Sequence, residues 1–266
     1  MDGPWEADVQ IGPCRLIQGD MREVLPALDP QANMVLSDPP YRLTSGGQSH
    51  ALGGVLGADA YDNSGELFDM VEWADMAPLI HGALAADADA VVMTSDREMG
   101  RARAAFEAAG FGFHRLLVWH KITATPNRWY MPNCEFGLYL WKGRARSISD
   151  CSSMALVRCP QQDVSHLYLP EDVAPGDRKP HPTEKPVAVM AHWLTNSTDP
   201  GQLVLDPFMG SGSTLVSAVE TGRRAIGIEK DPKWFAVACA RVRQAVEAGQ
   251  ARLPLDGPPL QGAVQA

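Results

Sequence analysis

Asp38-Pro39-Pro40-Tyr41 closes an apolar run, Asn33-Met34-Val35-Leu36-Ser37, and a glycine loop, Phe208-Met209-Gly210-Ser211-Gly212, begins 170 residues after Asp38. The first group suits an exocyclic amine on a flat ring. Such a nitrogen is a poor nucleophile because its lone pair is delocalised into the ring. Hydrogen bonds accepted from both amine protons draw it toward tetrahedral geometry and localise the pair. The Asp38 carboxylate and the Pro39 carbonyl are acceptors of that kind. The two prolines fix φ and remove donors, so the acceptors sit on a stiff turn. Tyr41 offers a face on which an extruded base stacks. In-line transfer to the amine then needs mainly positioning. A proline turn after a strand is also common, so these four residues do not decide the matter alone.

The second group suits a nucleoside. Leu203-Val204-Leu205-Asp206 reads as a short buried strand, and Pro207–Ser213 turns the chain into a helix. Gly210 and Gly212 let the backbone approach a ligand at the C-terminal edge of a sheet. Glu229 ends the next strand 19 residues beyond Gly210, where an acid reaches ribose hydroxyls. A nucleoside triphosphate does not fit, because no Lys precedes a Ser or Thr as a Walker loop requires. A nicotinamide dinucleotide fits in part, but Leu215 stands where G-x-G-x-x-G needs its third glycine. S-adenosylmethionine needs no pyrophosphate cradle and fits best, with Asp206 and Asp38 as carboxylates for its amino group. His181-Pro182-Thr183-Glu184-Lys185-Pro186 leads into a further helix. Thr183 reads as its cap and the first-turn N–H groups as a site for a carboxylate. Gly19-Asp20 ends the first strand and offers an acceptor to an adenine amine. Cys14 has no evident acid beside it and reads as structural rather than nucleophilic.

Alternating strands and helices must position these groups, the pattern of a doubly wound, mostly parallel α/β sheet. Strands are predicted at 15–18, 34–37, 90–94, 115–120, 136–141, 203–206 and 225–229. Helices are predicted at 67–86, 97–109, 186–196, 213–221 and 233–248. Gly110 and Gly222 follow two of the helices as left-handed caps. The strands at 115–141 have no helix between them and are expected to pair antiparallel at one sheet edge. Residues 42–65 read as a mobile loop. Residues 142–184 read as an insertion outside the sheet, and the tail from 249 as flexible.

The chain has 266 residues, 45% of them apolar and 21% charged, with net charge −9. That is an ordinary globular composition, and the negative net charge argues against binding nucleic acid over the whole surface. The charge is uneven: residues 113–185 hold ten Lys/Arg against seven Asp/Glu. Within 119–146, Lys121, Arg128, Lys142, Arg144 and Arg146 face one acid, Glu135, and alternate with aromatics including Trp129. A polyanion is expected there. No stretch suggests a signal peptide or membrane span, so a cytoplasmic location is expected. The five cysteines, with no C-x-x-C pair, indicate neither a disulfide framework nor a zinc site, and no metal is expected.

These residues together resemble the amino-type DNA methyltransferases, which act on adenine N6 or cytosine N4. The likeness spans roughly 13–245 apart from the 142–180 insert. Asp38–Tyr41 is similar to the family's D-P-P-Y motif and Asp206–Gly212 to its F-x-G-x-G cofactor motif. Glu229 matches the ribose-binding acid, Asp20 the acid that meets the cofactor adenine, and His181–Pro186 the helix lead-in. Catalytic motif before cofactor motif is the circularly permuted order of the family's beta group. The resemblance implies a seven-stranded Rossmann-like sheet with one antiparallel strand. It also implies S-adenosylmethionine as cofactor and DNA as substrate, and it allows a homodimer and a cognate restriction endonuclease as partners. Residues 13–141 would form the catalytic half, 142–180 the target-recognition insert, 181–248 the cofactor half and 249–266 a tail. In this reading Asp38, Pro39, Pro40 and Tyr41 are catalytic. Asp20, Asp38, His181, Thr183, Lys185, Asp206, Phe208, Gly210, Ser211, Gly212 and Glu229 hold cofactor, and Lys121, Arg128, Trp129, Lys142, Arg144 and Arg146 contact DNA. N4-cytosine members usually carry Ser at the position of Asp38, so adenine N6 is the expected target and cytosine N4 the alternative. A nicotinamide-dependent oxidoreductase would leave Asp38–Tyr41 idle. A non-catalytic DNA-binding regulator would not need them.

Overall fold

Met34 and Leu36 pack into one hydrophobic core while Val35, between them, packs into another. Leu16 and Ile17 divide the same way, as do Val91 and Met93 against Ala90 and Val92. Side chains alternate across a strand, so a strand apolar at every position needs a helix layer on each side. The computed structural model describes residues 3–40, 70–122, 130–160 and 184–252. Tyr41, the predicted 42–65 loop, Arg128, Trp129, His181, Thr183 and the tail beyond 252 lie outside the described residues.

The chain runs β1 (Ala7–Ile11), β2 (Cys14–Gln18), α1 (Met21–Leu28), β3 (Ala32–Ser37), α2 (Trp73–Ala83), β4 (Leu84–Thr94), α3 (Met99–Ala108) and β5 (Gly112–His120). It continues through β6 (Cys134–Lys142), β7 (Leu156–Arg158), α4 (Val187–Ser197), β8 (Leu203–Asp206), α5 (Ser213–Glu220), β9 (Arg224–Glu229) and α6 (Pro232–Arg252). The strands form one sheet in the order β1-β2-β9-β8-β3-β4-β6-β5-β7. β2, β9, β8, β3 and β4 are mutually parallel, and β1 and β6 run against them. Helices α4, α5 and α6 cover one face through Trp193, Leu215, Val216, Ala238 and Val242. Helices α1, α2 and α3 cover the other through Val24, Met76, Ile80 and Phe106. Among the described residues no helix is long and apolar enough to cross a membrane.

All seven predicted strands are present, and the sheet has nine among the described residues rather than seven. β1 escaped the reading because its residues are half polar, with exposure alternating along an edge strand. β7 is three residues long and pairs with β5, so the 142–184 segment does not lie wholly outside the sheet, and the β5–β6 pair is one strand in from the edge. α1 was hidden by its eight residues and internal Pro26, but Asp20 caps it by accepting from the Arg22 N–H at 2.9 Å. α2 ends at Ala83 rather than 86, because Leu84 pairs with Ala32 in the sheet and overrides the helix preference of the alanines that follow.

Candidate active site

Four consecutive parallel strands, β2, β9, β8 and β3, end at Gln18, Glu229, Asp206 and Ser37. Asp20, Glu229, Asp206 and Asp38 therefore line one C-terminal edge of the sheet, although they span the whole sequence. β3 and β8 are direct neighbours, with Met34 opposite Val204 and Val35 opposite Leu205. That pairing puts the proline turn and the glycine loop side by side. The Ser37 hydroxyl closes the seam by donating to Asp206 Oδ1 at 2.6 Å.

The loop after β8 is built for close approach. Gly210 and Gly212 have φ of 50° and 85°, in the left-handed region. A Cβ on Gly212 would stand 3.1 Å from the Ala238 Cβ on α6, so this turn also packs tightly against a helix. Glu229 Oε2 accepts from the Gly210 N–H at 2.9 Å, and Oε1 from the Asp231 N–H at 2.8 Å. A carboxylate has about four acceptor positions, so these backbone N–H groups, with that of Lys230, do not fill it. Burial pushes the Glu229 carboxyl above its ordinary pKa, against the pull of those amides.

Asp206 is buried, and its Oδ1 also accepts from the Phe208 N–H at 3.1 Å. Burial raises its pKa from 3.8 to about 6, with the neighbouring Asp38 charge adding to the rise. A folded-state pKa above the unfolded one favours the folded state fully below pH 3.8, and the advantage is lost as pH rises through about 6. Two units correspond to roughly 3 kcal/mol. Asp206→Asn keeps the shape without the charge, so it is expected to melt higher than the wild type at pH 8, with the gap closing toward pH 4. Calorimetric melts across that range check it. The same pH dependence in both proteins would contradict the assignment.

Asp38 is the other buried acid. Lys185, just ahead of α4, pairs with its Oδ2, while Oδ1 is buried and has no hydrogen-bond partner among the described residues. Burial raises the Asp38 pKa, Lys185 pulls it back and Glu135 pushes it up again, leaving it above the ordinary value. An unsatisfied buried acceptor costs about 1–3 kcal/mol, so the turn is poised for a donor.

Several predicted residues have other partners. Lys185 gives its ammonium to Asp38 and to Glu135 at 3.3 Å. Asp20 Oδ1 accepts from Arg22 N and Nε, both at 2.9 Å, and Oδ2 meets Arg22 Nη2 and Lys230 Nζ. Those contacts engage both oxygens of the carboxylate. Arg22 and then Lys230 hold the Asp20 carboxyl well below the usual range. The Ser211 hydroxyl accepts from Arg241 at 2.7 Å. Phe208 packs against the core beside α1, α2 and α3.

The basic stretch divides. Lys121 follows β5 at the catalytic edge, pairs with Glu135 and stands 5.3 Å from the Trp119 ring. β6 is antiparallel, so Lys142, Arg144 and Arg146 come off the opposite edge and are not brought to the site. Lys142 caps the end of α2, donating to the His81 and Leu84 carbonyls at 2.7 and 2.6 Å. Arg146 caps the end of α4 through the Ser197 carbonyl at 2.9 Å, and the Arg144 N–H binds Asp87. Cys14 opens β2 at that same far edge, and burial pushes its thiol up to about 12, so it is no nucleophile.

Buried carboxylates with raised pKa values, left-handed glycines and a strand-end glutamate with acceptor capacity left over suit a cationic nucleoside. The sequence model of the DNA methylase family, covering N6 and N4 enzymes, matches residues 32–239. The chain belongs to that family. The methylase is 33% identical over 217 residues to YubD of Escherichia coli (strain K12), covering 81% of this chain and 84% of that one. It is 29% identical over 241 residues to the type II methyltransferase M2.DpnII of Streptococcus pneumoniae, covering 85% and 88%. Among solved structures, the fold of PvuII DNA methyltransferase (cytosine-N4-specific) superposes with TM-score 0.65 at 16% identity, covering 93% of this chain and 95% of that one. The family's methyl donor is S-adenosylmethionine.

Three residues that pack beside the predicted site residues were not singled out in the sequence. Glu135 was visible only as the one acid of a basic stretch. Arg241 interrupts the buried face of α6 between Ala238, Val242 and Ala245, and a charge at a core position was the available signal. Glu184, its partner at 2.6 Å, left no separate mark inside the His181–Pro186 segment.

Proposed function

We propose that this methylase transfers a methyl group from S-adenosylmethionine to the N6 amine of adenine in DNA, with Asp38 and the Pro39 carbonyl accepting the two amine protons. The observation that carries the reading is the buried Oδ1 of Asp38 beside the glycine loop, which has no hydrogen-bond partner among the described residues. An amine N–H is the donor that position lacks. When bound, S-adenosylmethionine supplies the electrophilic methyl group. The chain's own residues do the rest: Glu229 receives ribose hydroxyls, Gly210–Gly212 give backbone access, and Asp206 offers negative charge to a cation. Pro39 and Pro40 hold the acceptors still. Tyr41 is proposed as the stacking face, and the 142–180 segment as the source of target recognition. β7 enters the catalytic edge, where the Cys159 N–H meets the His120 carbonyl at 3.1 Å.

Cytosine N4 poses the same amine problem, and Asp38 in place of Ser favours adenine. The test is to methylate unmodified DNA with the purified enzyme, digest it to nucleosides and separate them by mass. N6-methyldeoxyadenosine is the expected product. N4-methyldeoxycytidine in its place overturns the adenine assignment.

A further inference from the structure

Four charges alternate in sign across the catalytic edge: Asp38, Lys185, Glu135 and Lys121. They come from four places in the fold: the turn after β3, the lead into α4, the start of β6 and the end of β5. Lys185 is 6% exposed and Glu135 19%, so neither charge is left to bulk water. Glu135 Oε1 pairs with Lys121 and its Oε2 lies 3.3 Å from the Lys185 ammonium. Glu135 thus stands between two cations, one of which touches the acceptor carboxylate.

We infer that Glu135 is a positioning residue for methyl transfer: it draws the Lys185 ammonium to one side, so that Asp38 is engaged at Oδ2 alone and keeps Oδ1 for the target amine. The inference rests on the reading of Asp38 given above. Without the Glu135 charge, the acid that shares the Lys185 ammonium with Asp38 and pairs with Lys121 is gone. Lys185 would be drawn across the carboxylate toward Oδ1, the oxygen that must accept, and the carboxylate would become a weaker base. Without Lys185, burial and the Glu135 and Asp206 charges would be opposed by the more distant Lys121, and Asp38 would hold its proton to higher pH. The two residues therefore push the ionisation of Asp38 in opposite directions. Among the described residues the charged groups facing Asp38 are Lys185, Glu135, Lys121 and Asp206, and the substitutions leave the other members in place. This role differs from cofactor binding, which the sequence suggested for Lys185.

The test is the pH profile of kcat/KM for DNA in Glu135→Gln and Lys185→Met, with S-adenosylmethionine binding measured alongside. Gln keeps hydrogen-bond acceptance and removes the charge. It is expected to lower kcat about tenfold and to move the acid limb to lower pH by about one unit. Lys185→Met is expected to lose on the order of 100-fold in kcat and to move the limb to higher pH. Affinity for S-adenosylmethionine should stay at the wild-type value in both. Should Lys185→Met fail to fold, Lys185→Arg keeps the charge and should keep the wild-type limb. Limbs that move together, or not at all, overturn the inference, as does loss of cofactor affinity as the main effect in Lys185→Met. Active Asp38→Ala enzyme would instead sink the reading of Asp38 itself. Inactive Asp38→Ala with an unshifted Glu135→Gln profile removes only the role of Glu135.

Discussion

Asp38→Ala is expected to abolish methyl transfer, by three orders of magnitude or more on the scale of about 10²–10³ for one preorganised group plus loss of the turn's only charge. Binding of S-adenosylmethionine should survive, because Asp206, Glu229 and the glycine loop hold their own contacts without it. The fold should survive as well, since Lys185 retains Glu135 at 3.3 Å. Asp38→Asn sharpens the argument. Its amide must present oxygen to the Lys185 ammonium, which turns the NH2 toward the place where the target amine needs an acceptor. Donor would then face donor, so the isosteric change should be as damaging as the truncation. Transfer assays with labelled cofactor, read beside calorimetric binding of S-adenosylmethionine, check both variants. An Asp38→Asn enzyme with near-normal kcat would show that the carboxylate does not act as acceptor.

That contrast also shows what could be read from the chain and what could not. The proline turn and glycine loop carry rigid local signals, namely fixed φ, left-handed glycines and buried strand ends, and these survive any tertiary context. Their adjacency follows from order along the chain only through the topology of the sheet, where β8 inserts beside β3. The partners of the motif residues were illegible for a physical reason. Asp20, Lys185 and Ser211 have the residue types of ligands, but a side chain's use depends on what the fold brings within about 3 Å, the reach of a hydrogen bond. Arg22 and Lys230 engage Asp20, Lys185 pairs with Asp38, and Arg241 donates to Ser211. The basic stretch misled similarly. Charge counts along the sequence do not register that β6 reverses direction and carries Lys142 to the far edge. Edge strands and short helices were missed because few of their residues are buried on both sides.

Arg241→Met is expected to produce the largest loss of stability of any single substitution near the site. The guanidinium is 2% exposed and pairs at 2.6 Å with Glu184, itself 8% exposed. Its Nη1 also donates to the Ser211 carbonyl and hydroxyl, each at 2.7 Å. α6 is thereby tied at one point to the glycine loop and to the segment that carries Lys185 toward Asp38. Removing one member of a buried pair costs about 3–5 kcal/mol, because the other charge loses its counter-ion while staying out of water. For a chain of this length that is a fall in Tm of roughly 6–20 °C. Met fills much of the same volume, so packing contributes little to the loss and the charge most of it. Pairing it with Glu184→Gln removes the second charge, and the double variant should recover part of the stability, which a simple cavity would not allow. The cofactor loop gives a second readout. With Ser211 no longer held, S-adenosylmethionine should bind more weakly in both the single and the double variant, because Glu184→Gln restores charge balance but not the grip on the loop. Melting curves and binding isotherms on the four proteins of this cycle separate the two roles. Additive stability losses would show that Arg241 and Glu184 act independently, and unchanged cofactor affinity would show that the loop holds its shape without Arg241.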